Sequence, residues 1–165
     1  MIARNDNPYI FATIHRAENC TDEKRVRYII SEMRKSPIPI HLHCHPRLFR
    51  LLKALEMSES VGSLLILNPL SYFDSISSIF NSVGVITDSG GVQKEAYLAG
   101  KPCLVVRSET EWVETIIAGK STLDPMLEGI KDFWSKKDPG VVDPSIFGDG
   151  TTSRLIIQKI VDRYT

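Results

Sequence analysis

The segment Asp88-Ser89-Gly90-Gly91 combines the residue types that a phosphate-binding turn requires. Glycines lack a Cβ atom, so the backbone here can approach a ligand closely and turn directly into a helix. The free N–H groups of the first helical turn, with the helix dipole behind them, favour an anion such as a diphosphate. Ser89 adds a hydroxyl donor, and Glu95, one turn later, can accept hydrogen bonds from a ribose diol. The alternative is an ordinary helix start that Asp88 or Ser89 caps, and the tetrapeptide alone favours neither.

A second candidate segment places His15, Arg16, Glu18 and Asn19 directly after a short apolar run. Arginine pairs bidentately with phosphate or carboxylate, and histidine exchanges a proton near neutral pH. His15 is therefore a candidate catalytic residue and Arg16 a candidate anion-binding residue. The alternative is a solvated loop with an internal ion pair between Arg16 and Glu18.

His41, His43 and His45 alternate along one predicted strand, so their side chains share one face. Three imidazoles can bind a metal, but a strand spaces them along its length and no cysteine or acidic partner is placed with them on that face. We therefore predict no metal site. We expect His41 to be packed, and His43 and His45 to reach the edge of the sheet.

The residues after position 108 form an acidic cluster of Glu109, Glu111 and Glu114 around Trp112. A solvated loop explains this composition as well as a binding site does. Trp112 is interpreted as a core contact, or a contact between domains, as readily as a platform for a ligand.

Short apolar segments alternate with amphipathic helical patterns along the first two thirds of the chain. Strands are predicted at residues 9–14, 39–43, 64–67, 83–87 and 103–106. Five helices are predicted. The first follows a cap at Thr21, the second begins at Pro46, the third follows a cap at Ser71, the fourth spans about 91–99 and the last spans about 152–164. Residues 124–137 are assigned one or two helices, followed by a break at 138–140.

This alternation predicts an α/β domain with a doubly wound, Rossmann-like parallel sheet covered by helices on both faces. Ligands bind outside the carboxyl ends of the strands in such sheets. Four of the five predicted strand ends carry ionisable or phosphate-binding residues. We therefore expect one polar edge of the sheet to form the binding site.

The composition fits a single domain spanning residues 1–165, with 42% hydrophobic residues and 20 basic residues balancing 20 acidic ones. A formal net charge of 0 gives no support to a nucleic-acid or membrane-surface partner. No apolar run has the length of a membrane span, and the first residues lack the pattern of a secretory signal. Three widely spaced cysteines indicate free thiols in a reducing compartment, so a cytoplasmic protein is expected.

Several motifs occur together and in order from about residue 8 to residue 120, with weaker similarity to the end of the chain. Two are highly specific: Thr-x-His-Arg-x-Glu-Asn at residues 13–19 and Asp-Ser-Gly-Gly-x-Gln-x-Glu at residues 88–95. Together with four shorter motifs, they resemble the non-hydrolysing UDP-N-acetylglucosamine 2-epimerase family. The shorter motifs are His45-Pro46, Pro69-Leu70-Ser71-Tyr72, Gly100-Lys101-Pro102 and Arg107-Ser108-Glu109-Thr110-Glu111.

The resemblance implies the C-terminal half of a two-domain glycosyltransferase-B-type fold that binds substrate between its halves. The N-terminal half of that family supplies several catalytic carboxylates, so the present domain alone is expected to be inactive. The implied reaction converts UDP-N-acetylglucosamine to UDP-N-acetylmannosamine by eliminating UDP and adding it back. It needs no metal and no cofactor, and a homodimer is implied by analogy. The implied site comprises a catalytic His15, a ribose contact at Glu95, and UDP-sugar contacts at Arg16, Ser89, Gly90 and Gly91.

The sequence departs from the family pattern at one substrate-contacting motif and at two residues on the uracil side. The common motif Thr-Glu-Arg-Pro-Glu, whose arginine contacts substrate, is replaced by Thr110-Glu111-Trp112-Val113-Glu114. Leu70 and Ser75, which align with uracil-side contacts, also differ from the usual pattern. A related epimerase of UDP-2,3-diacetamido-2,3-dideoxyglucuronate, a glycosyltransferase donor-binding domain and an inactive nucleotide-binding module are therefore alternatives.

Overall fold

The computed structural model describes residues 7–132, 134 and 142–164. Within these ranges, six short strands are β1 (Ile10–Thr13), β2 (Ile40–His43), β3 (Leu64–Leu67), β4 (Gly84–Thr87), β5 (Cys103–Val105) and β6 (Ser121–Leu123). They form one sheet in the order β3-β2-β1-β4-β5-β6, and all neighbouring strands are parallel. The predicted Rossmann-like α/β fold is confirmed.

Helices connect the strands: α1 (Ala17–Cys20), α2 (Glu23–Met33), α3 (Pro46–Ala54), α4 (Tyr72–Asn81), α5 (Gly90–Leu98), α6 (Val113–Ile117) and α7 (Thr152–Tyr164), with a short 3-10 helix at Pro144–Phe147. One core cluster packs α2 and α3 against the sheet, and a second packs α4 and α5 against the opposite face. None of the helices in the described ranges combines the length and apolarity needed to cross a membrane.

The strand order reverses between β1 and β4, which pair directly from Ile10 opposite Gly84 to Thr13 opposite Thr87. The chain leaves β1 toward β2 on one side and leaves β4 toward β5 on the other. A crevice opens at such a switch point, because the two connections diverge. The segments that begin at His15 and Asp88 therefore start from adjacent strand ends.

The structure corrects the prediction of the α2 start and adds elements that the sequence analysis missed. Asp22, not Thr21, caps α2 by accepting a 2.8 Å hydrogen bond from the backbone N–H of Lys24. The Thr21 hydroxyl instead donates to the carbonyl of Ala17, the first residue of α1. The elements α1, α6 and β6 have three to five residues each, which is too short for a periodic pattern to be recognised.

Two predicted apolar helix faces are more exposed than the pattern indicates. In α4 only Ile79 is buried, while Tyr72 and Phe80 are exposed. In α7 no residue is buried, although the helix carries six large apolar side chains: Leu155, Ile156, Ile157, Ile160, Val161 and Tyr164. The break predicted at residues 138–140 lies outside the described residues.

Candidate functional site

Asp88 joins the two candidate segments. Its side chain is completely buried at the end of β4. The carboxylate accepts hydrogen bonds from the backbone N–H of His15 at 3.1 and 3.2 Å and from the backbone N–H of Arg16 at 3.0 Å. The Nδ2 of Asn19 donates a further bond of 3.0 Å. Asp88 therefore fixes the loop after β1 beside the glycine turn after β4, and it does not cap α5.

Asn19 extends this connection to a third strand end. Its side chain is buried, and its Nδ2 also donates a 2.9 Å bond to the carbonyl of Val106, just after β5. Its Oδ1 accepts bonds of 3.1 Å from the guanidinium of Arg25. Both the nitrogen and the oxygen of the Asn19 amide are therefore hydrogen-bonded, which explains how this asparagine can be buried in α1.

One ring nitrogen of His15 lies close to the Asp88 carboxylate. Its Nδ1 lies 3.4 Å from Oδ1 of Asp88, and the side chain is 39% exposed. A carboxylate next to Nδ1 favours the tautomer with the proton on that atom, which leaves Nε2 as the nitrogen available to a ligand. The ring of His45 lies nearby, with the two ring centroids 6.1 Å apart. The predicted catalytic histidine is thus oriented at the crevice.

The start of α5 has backbone N–H groups without a side-chain cap. Ser89 is the N-cap residue, yet its hydroxyl accepts no capping hydrogen bond, while its own backbone N–H donates 3.0 Å to Oγ1 of Thr87. A Cβ atom added at Gly91 would meet only Oγ of Ser89, at 3.9 Å. The first turn of α5 is therefore open at Gly91, as an anion-binding helix start must be.

Gly90 lies in different surroundings. A Cβ atom added there would come within 2.4 Å of Oε1 of Glu111 and 3.0 Å of Nε1 of Trp112. A side chain at position 90 would therefore have to move the Glu111 carboxylate and would press against the Trp112 indole. A valine there would disturb these two side chains as well as any ligand.

Glu111 connects the two arginines of the site. Its Oε2 accepts a 2.6 Å hydrogen bond from Nη1 of Arg107, and its Oε1 lies 3.3 Å from Nη2 of Arg16. Arg16 also donates through Nε to the carbonyl of Asp88, at 3.1 Å. A hydrogen bond from its own backbone N–H, together with the bond from Arg107, lowers the pKa of Glu111, so this carboxylate is ionised at neutral pH.

The alternative pairing of Arg16 with Glu18 is wrong. Glu18 lies 3.5 Å from Nε of Arg107, whereas Arg16 turns toward Glu111. Sequence proximity suggested a local pair, but the fold brings the loop after β5 closer to Arg16. Glu109 and Glu114, the other members of the acidic cluster, are exposed.

Trp112 packs within the chain. Its ring meets Phe147 edge to face with the centroids 5.8 Å apart, and Nζ of Lys94 lies 4.2 Å from the ring centroid. The loop that carries it is tied to α5 because Oε1 of the buried Gln93 accepts a 2.6 Å bond from the hydroxyl of Thr110. The Nε1 of Trp112 is buried and has no hydrogen-bond partner among the described residues.

A cavity of about 140 Å³ lies beside this region, lined by Phe11, Thr13, His43, His45, Pro69, Leu70, Ser75 and Val92. It therefore contains both residues that align with uracil-side contacts. A cavity of about 150 Å³ accommodates a single six-membered ring. His43 stacks on Phe11 with the centroids 5.4 Å apart, and its Nδ1 lies 3.0 Å from the carbonyl of Asn68.

His41 does not line this cavity and stacks on Tyr9, with the ring centroids 4.2 Å apart. Burial lowers the pKa of both His41 and His43. Across the described ranges, no three His, Cys, Asp or Glu side chains are grouped so that they could hold a metal ion.

These lowered pKa values make the stability of the chain sensitive to mild acid. The folded chain therefore binds protons at these two imidazoles less readily than the unfolded chain, whose histidines titrate near the ordinary pKa of 6.5. We therefore expect the free energy of unfolding to fall as the pH is lowered from 7.5 to 5.5. Urea unfolding at both pH values should show a smaller decrease for His41→Gln than for the unchanged chain. An equal decrease in the two proteins would contradict this assignment.

Glu95 lies one turn into α5 and is half-buried. Burial raises the pKa of its carboxyl, and the ammonium of Lys94 opposes that shift. The carboxylate makes no hydrogen bond to the described part of the chain. A ligand hydroxyl donating to it would supply the partner that a partly desolvated carboxylate needs.

The structure thus brings His15, Arg16, Ser89, Gly90 and Gly91 to one crevice, with Glu95 one turn further along α5. Three further residues, Asp88, Arg107 and Glu111, contribute to this site in ways that the sequence did not indicate. Their roles depend on contacts between segments up to 95 residues apart, for which the sequence carries no local signal.

Comparison with known proteins agrees with the motifs. A family model described as UDP-N-acetylglucosamine 2-epimerase matches residues 1–161. A UDP-N-acetylglucosamine 2-epimerase homolog of Methanococcus maripaludis is 35% identical over 161 residues, covering 92% of this chain and 44% of that protein. The UDP-2,3-diacetamido-2,3-dideoxy-D-glucuronate 2-epimerase of Pseudomonas aeruginosa is 34% identical over 160 residues, with the same coverage of 92% and 44%.

The fold agrees as well. The crystal structure of Methanocaldococcus jannaschii UDP-GlcNAc 2-epimerase in complex with UDP-GlcNAc and UDP superposes with a TM-score of 0.83 at 26% identity. The superposition covers 94% of this chain and 45% of that one. The chain spans less than half the length of these relatives. Because the family model matches nearly all of its residues, the chain belongs to the UDP-N-acetylglucosamine 2-epimerase family.

Proposed function

We propose that this chain is the nucleotide-binding half of a UDP-N-acetylglucosamine 2-epimerase, and that it binds the UDP part of the substrate. The observation that carries the proposal is the position of Asp88. Its buried carboxylate holds the backbone of His15 and Arg16 against the uncapped helix start at Ser89. A proton-exchanging side chain, a cation and free backbone donors therefore face one crevice.

This arrangement suits the elimination of UDP. In the proposed reaction a base removes the proton at C2 of the sugar while the bond between C1 and the diphosphate oxygen breaks. The proton then returns on the other face and UDP is added back. Negative charge grows on the diphosphate as it leaves, and preorganised donors stabilise it. We assign the stabilisation of this charge to four groups of the chain. They are the N–H groups of Gly90 and Gly91, the hydroxyl of Ser89 and the guanidinium of Arg16.

The nucleoside is proposed to lie beside the diphosphate. The cavity lined by Phe11, His43, Leu70 and Ser75 is assigned to the uracil ring, because its volume of about 140 Å³ suits one ring. Glu95 is assigned to the ribose hydroxyls. His15, with Nε2 free, is assigned to proton transfer near the diphosphate.

A second half of the protein is proposed to complete the site. The relatives are more than twice as long as the segment that matches them. The six apolar side chains of α7 are between 47% and 80% exposed, and such a continuous apolar face indicates a covering partner. We assign this role to the other half of the epimerase, which would also provide the catalytic carboxylates. The three cysteines are free and buried, which fits a reducing cytoplasm.

A second candidate substrate is UDP-2,3-diacetamido-2,3-dideoxyglucuronate. The relative from Pseudomonas aeruginosa carries that substrate in its name and is as similar to this chain as the first relative. Trp112 also stands where the common family motif has an arginine. Either substrate would place the same UDP group on α5.

The proposal is tested by calorimetric titration of the chain with UDP, UDP-N-acetylglucosamine and ADP. We expect the two uridine ligands to bind at least about tenfold more tightly than ADP, because the ring cavity suits a single six-membered ring. Incubation with UDP-N-acetylglucosamine should give no epimer, since the carboxylates of the other half are required. Equal affinity for UDP and ADP, or turnover by this chain alone, would refute the respective part of the proposal.

A further inference from the structure

We propose that the carboxylate of Glu111 occupies the anion-binding position of the ligand-free chain, and that a diphosphate displaces it and takes over its donors. The inference rests on the diphosphate site proposed above. It adds a residue that competes with the ligand and thereby sets its affinity. Four features of the structure support it.

The first feature is the position of the carboxylate. Oε1 of Glu111 lies 2.4 Å from the place that a Cβ atom of Gly90 would occupy. The carboxylate therefore sits directly against the first residue of α5, where free N–H groups and the helix dipole favour negative charge. An acidic side chain from a different loop therefore lies beside the helix start at which the phosphate is proposed to bind.

The second feature is the set of cations around it. Nη1 of Arg107 donates to Oε2 at 2.6 Å, and Nη2 of Arg16 lies 3.3 Å from Oε1. Two guanidinium groups around one anion are typical of phosphate recognition. The Arg107 side chain is only 9% exposed, so it depends on an anionic partner more strongly than a surface arginine does.

The third feature is an indole donor that the carboxylate leaves unused. Nε1 of Trp112 lies 3.0 Å from the same Cβ position of Gly90 and has no hydrogen-bond partner in the described chain. A buried N–H without an acceptor costs about 1–3 kcal/mol. A phosphate has more acceptor oxygens than a carboxylate, so it can satisfy Trp112 together with both arginines.

The fourth feature is the exposure of the Glu111 side chain, which allows it to move into solvent. Its side chain is 44% exposed, whereas its partner Arg107 is mostly buried. Rotation about the side-chain bonds can move the carboxylate into solvent without moving the arginines. The ligand can bind only to molecules in which Glu111 has left this position. The apparent affinity is therefore the intrinsic affinity multiplied by the fraction of such molecules.

The opposite role for Glu111 predicts the opposite result. If Glu111 merely held Arg16 and Arg107 ready for the ligand, removing its charge would weaken binding of a diphosphate. If it competes with the ligand, removing its charge strengthens binding. The sign of the change therefore decides between the two roles.

The test is calorimetric titration of the 165-residue chain and its Glu111→Gln variant with UDP and with inorganic pyrophosphate. We expect Glu111→Gln to bind both ligands about three- to tenfold more tightly, with no change for uridine, which carries no phosphate. The control is Glu109→Gln, the same change two residues away at an exposed position, which should alter affinity less than about twofold. Glu111→Ala should act in the same direction and serves if the Gln variant unfolds.

The outcomes separate this inference from the proposed function. Unchanged or weaker binding of UDP and pyrophosphate by both Glu111 variants overturns the competing role of Glu111 and leaves the proposed function standing. Tighter binding of pyrophosphate without preference for UDP over ADP overturns the proposed function alone. Failure of every protein to bind either phosphate ligand overturns both.

Discussion

Asp88→Asn is expected to lower the free energy of unfolding by about 3 kcal/mol, because the carboxylate accepts hydrogen bonds from three donor groups in a fully buried position. The amide group of asparagine would place two N–H donors against the backbone N–H groups of His15 and Arg16. For a chain of this size the melting temperature should fall by about 6 to 12 °C. Thermal unfolding followed by circular dichroism measures the change.

The matched control is Asp22→Asn. Asp22 is exposed and caps α2, and asparagine caps a helix about as well as aspartate does. We expect its melting temperature to stay within about 2 °C of the unchanged chain. Similar melting temperatures for the Asp88 variant and the control would show that Asp88 does not hold the two loops together.

The sequence predicted the parts of the fold and site that depend on local patterns. The five apolar strands, the Pro46 and Ser71 helix starts and the glycine start of α5 each follow from residues within one or two helical turns. Their confirmation shows that these signals agree with the tertiary structure. The helix start within residues 88–91 is confirmed, and the phosphate-binding role of these residues stays a prediction.

The remaining features depend on contacts between distant segments. Asp88 has the sequence signature of a helix cap, but its carboxylate turns to N–H groups 72 and 73 residues earlier, because β1 and β4 end side by side. Glu111 reaches Arg16, 95 residues away, for a similar reason, since β5 lies beside β4. A side chain that has both a local and a distant partner available cannot be assigned from sequence.

The exposed helix faces show another limit of sequence patterns. The apolar residues of α7 predict that the helix is packed, yet none of them is buried by the described residues. Periodicity shows that a helix has an apolar face and does not show what covers it. The same limit applies to Tyr72 and Phe80 in α4.

Gly91→Val is expected to weaken UDP binding by about 10- to 100-fold while leaving the fold unchanged. The new side chain would project from the open first turn of α5, where the diphosphate must contact backbone N–H groups. A Cβ there meets nothing closer than Oγ of Ser89 at 3.9 Å, so the packing is preserved. Valine also has a better helix propensity than glycine.

The choice of Gly91 over Gly90 makes this experiment selective. At Gly90 a side chain would meet the side chains of Glu111 and Trp112, so any loss of binding could come from the movement of those two side chains. Titrations with UDP and uridine, together with thermal unfolding, separate the two effects at Gly91. UDP affinity should fall while the melting temperature and the uridine affinity remain the same. If Gly91→Val bound UDP normally, the diphosphate would not lie on the first turn of α5, and the functional proposal built on that turn would fail.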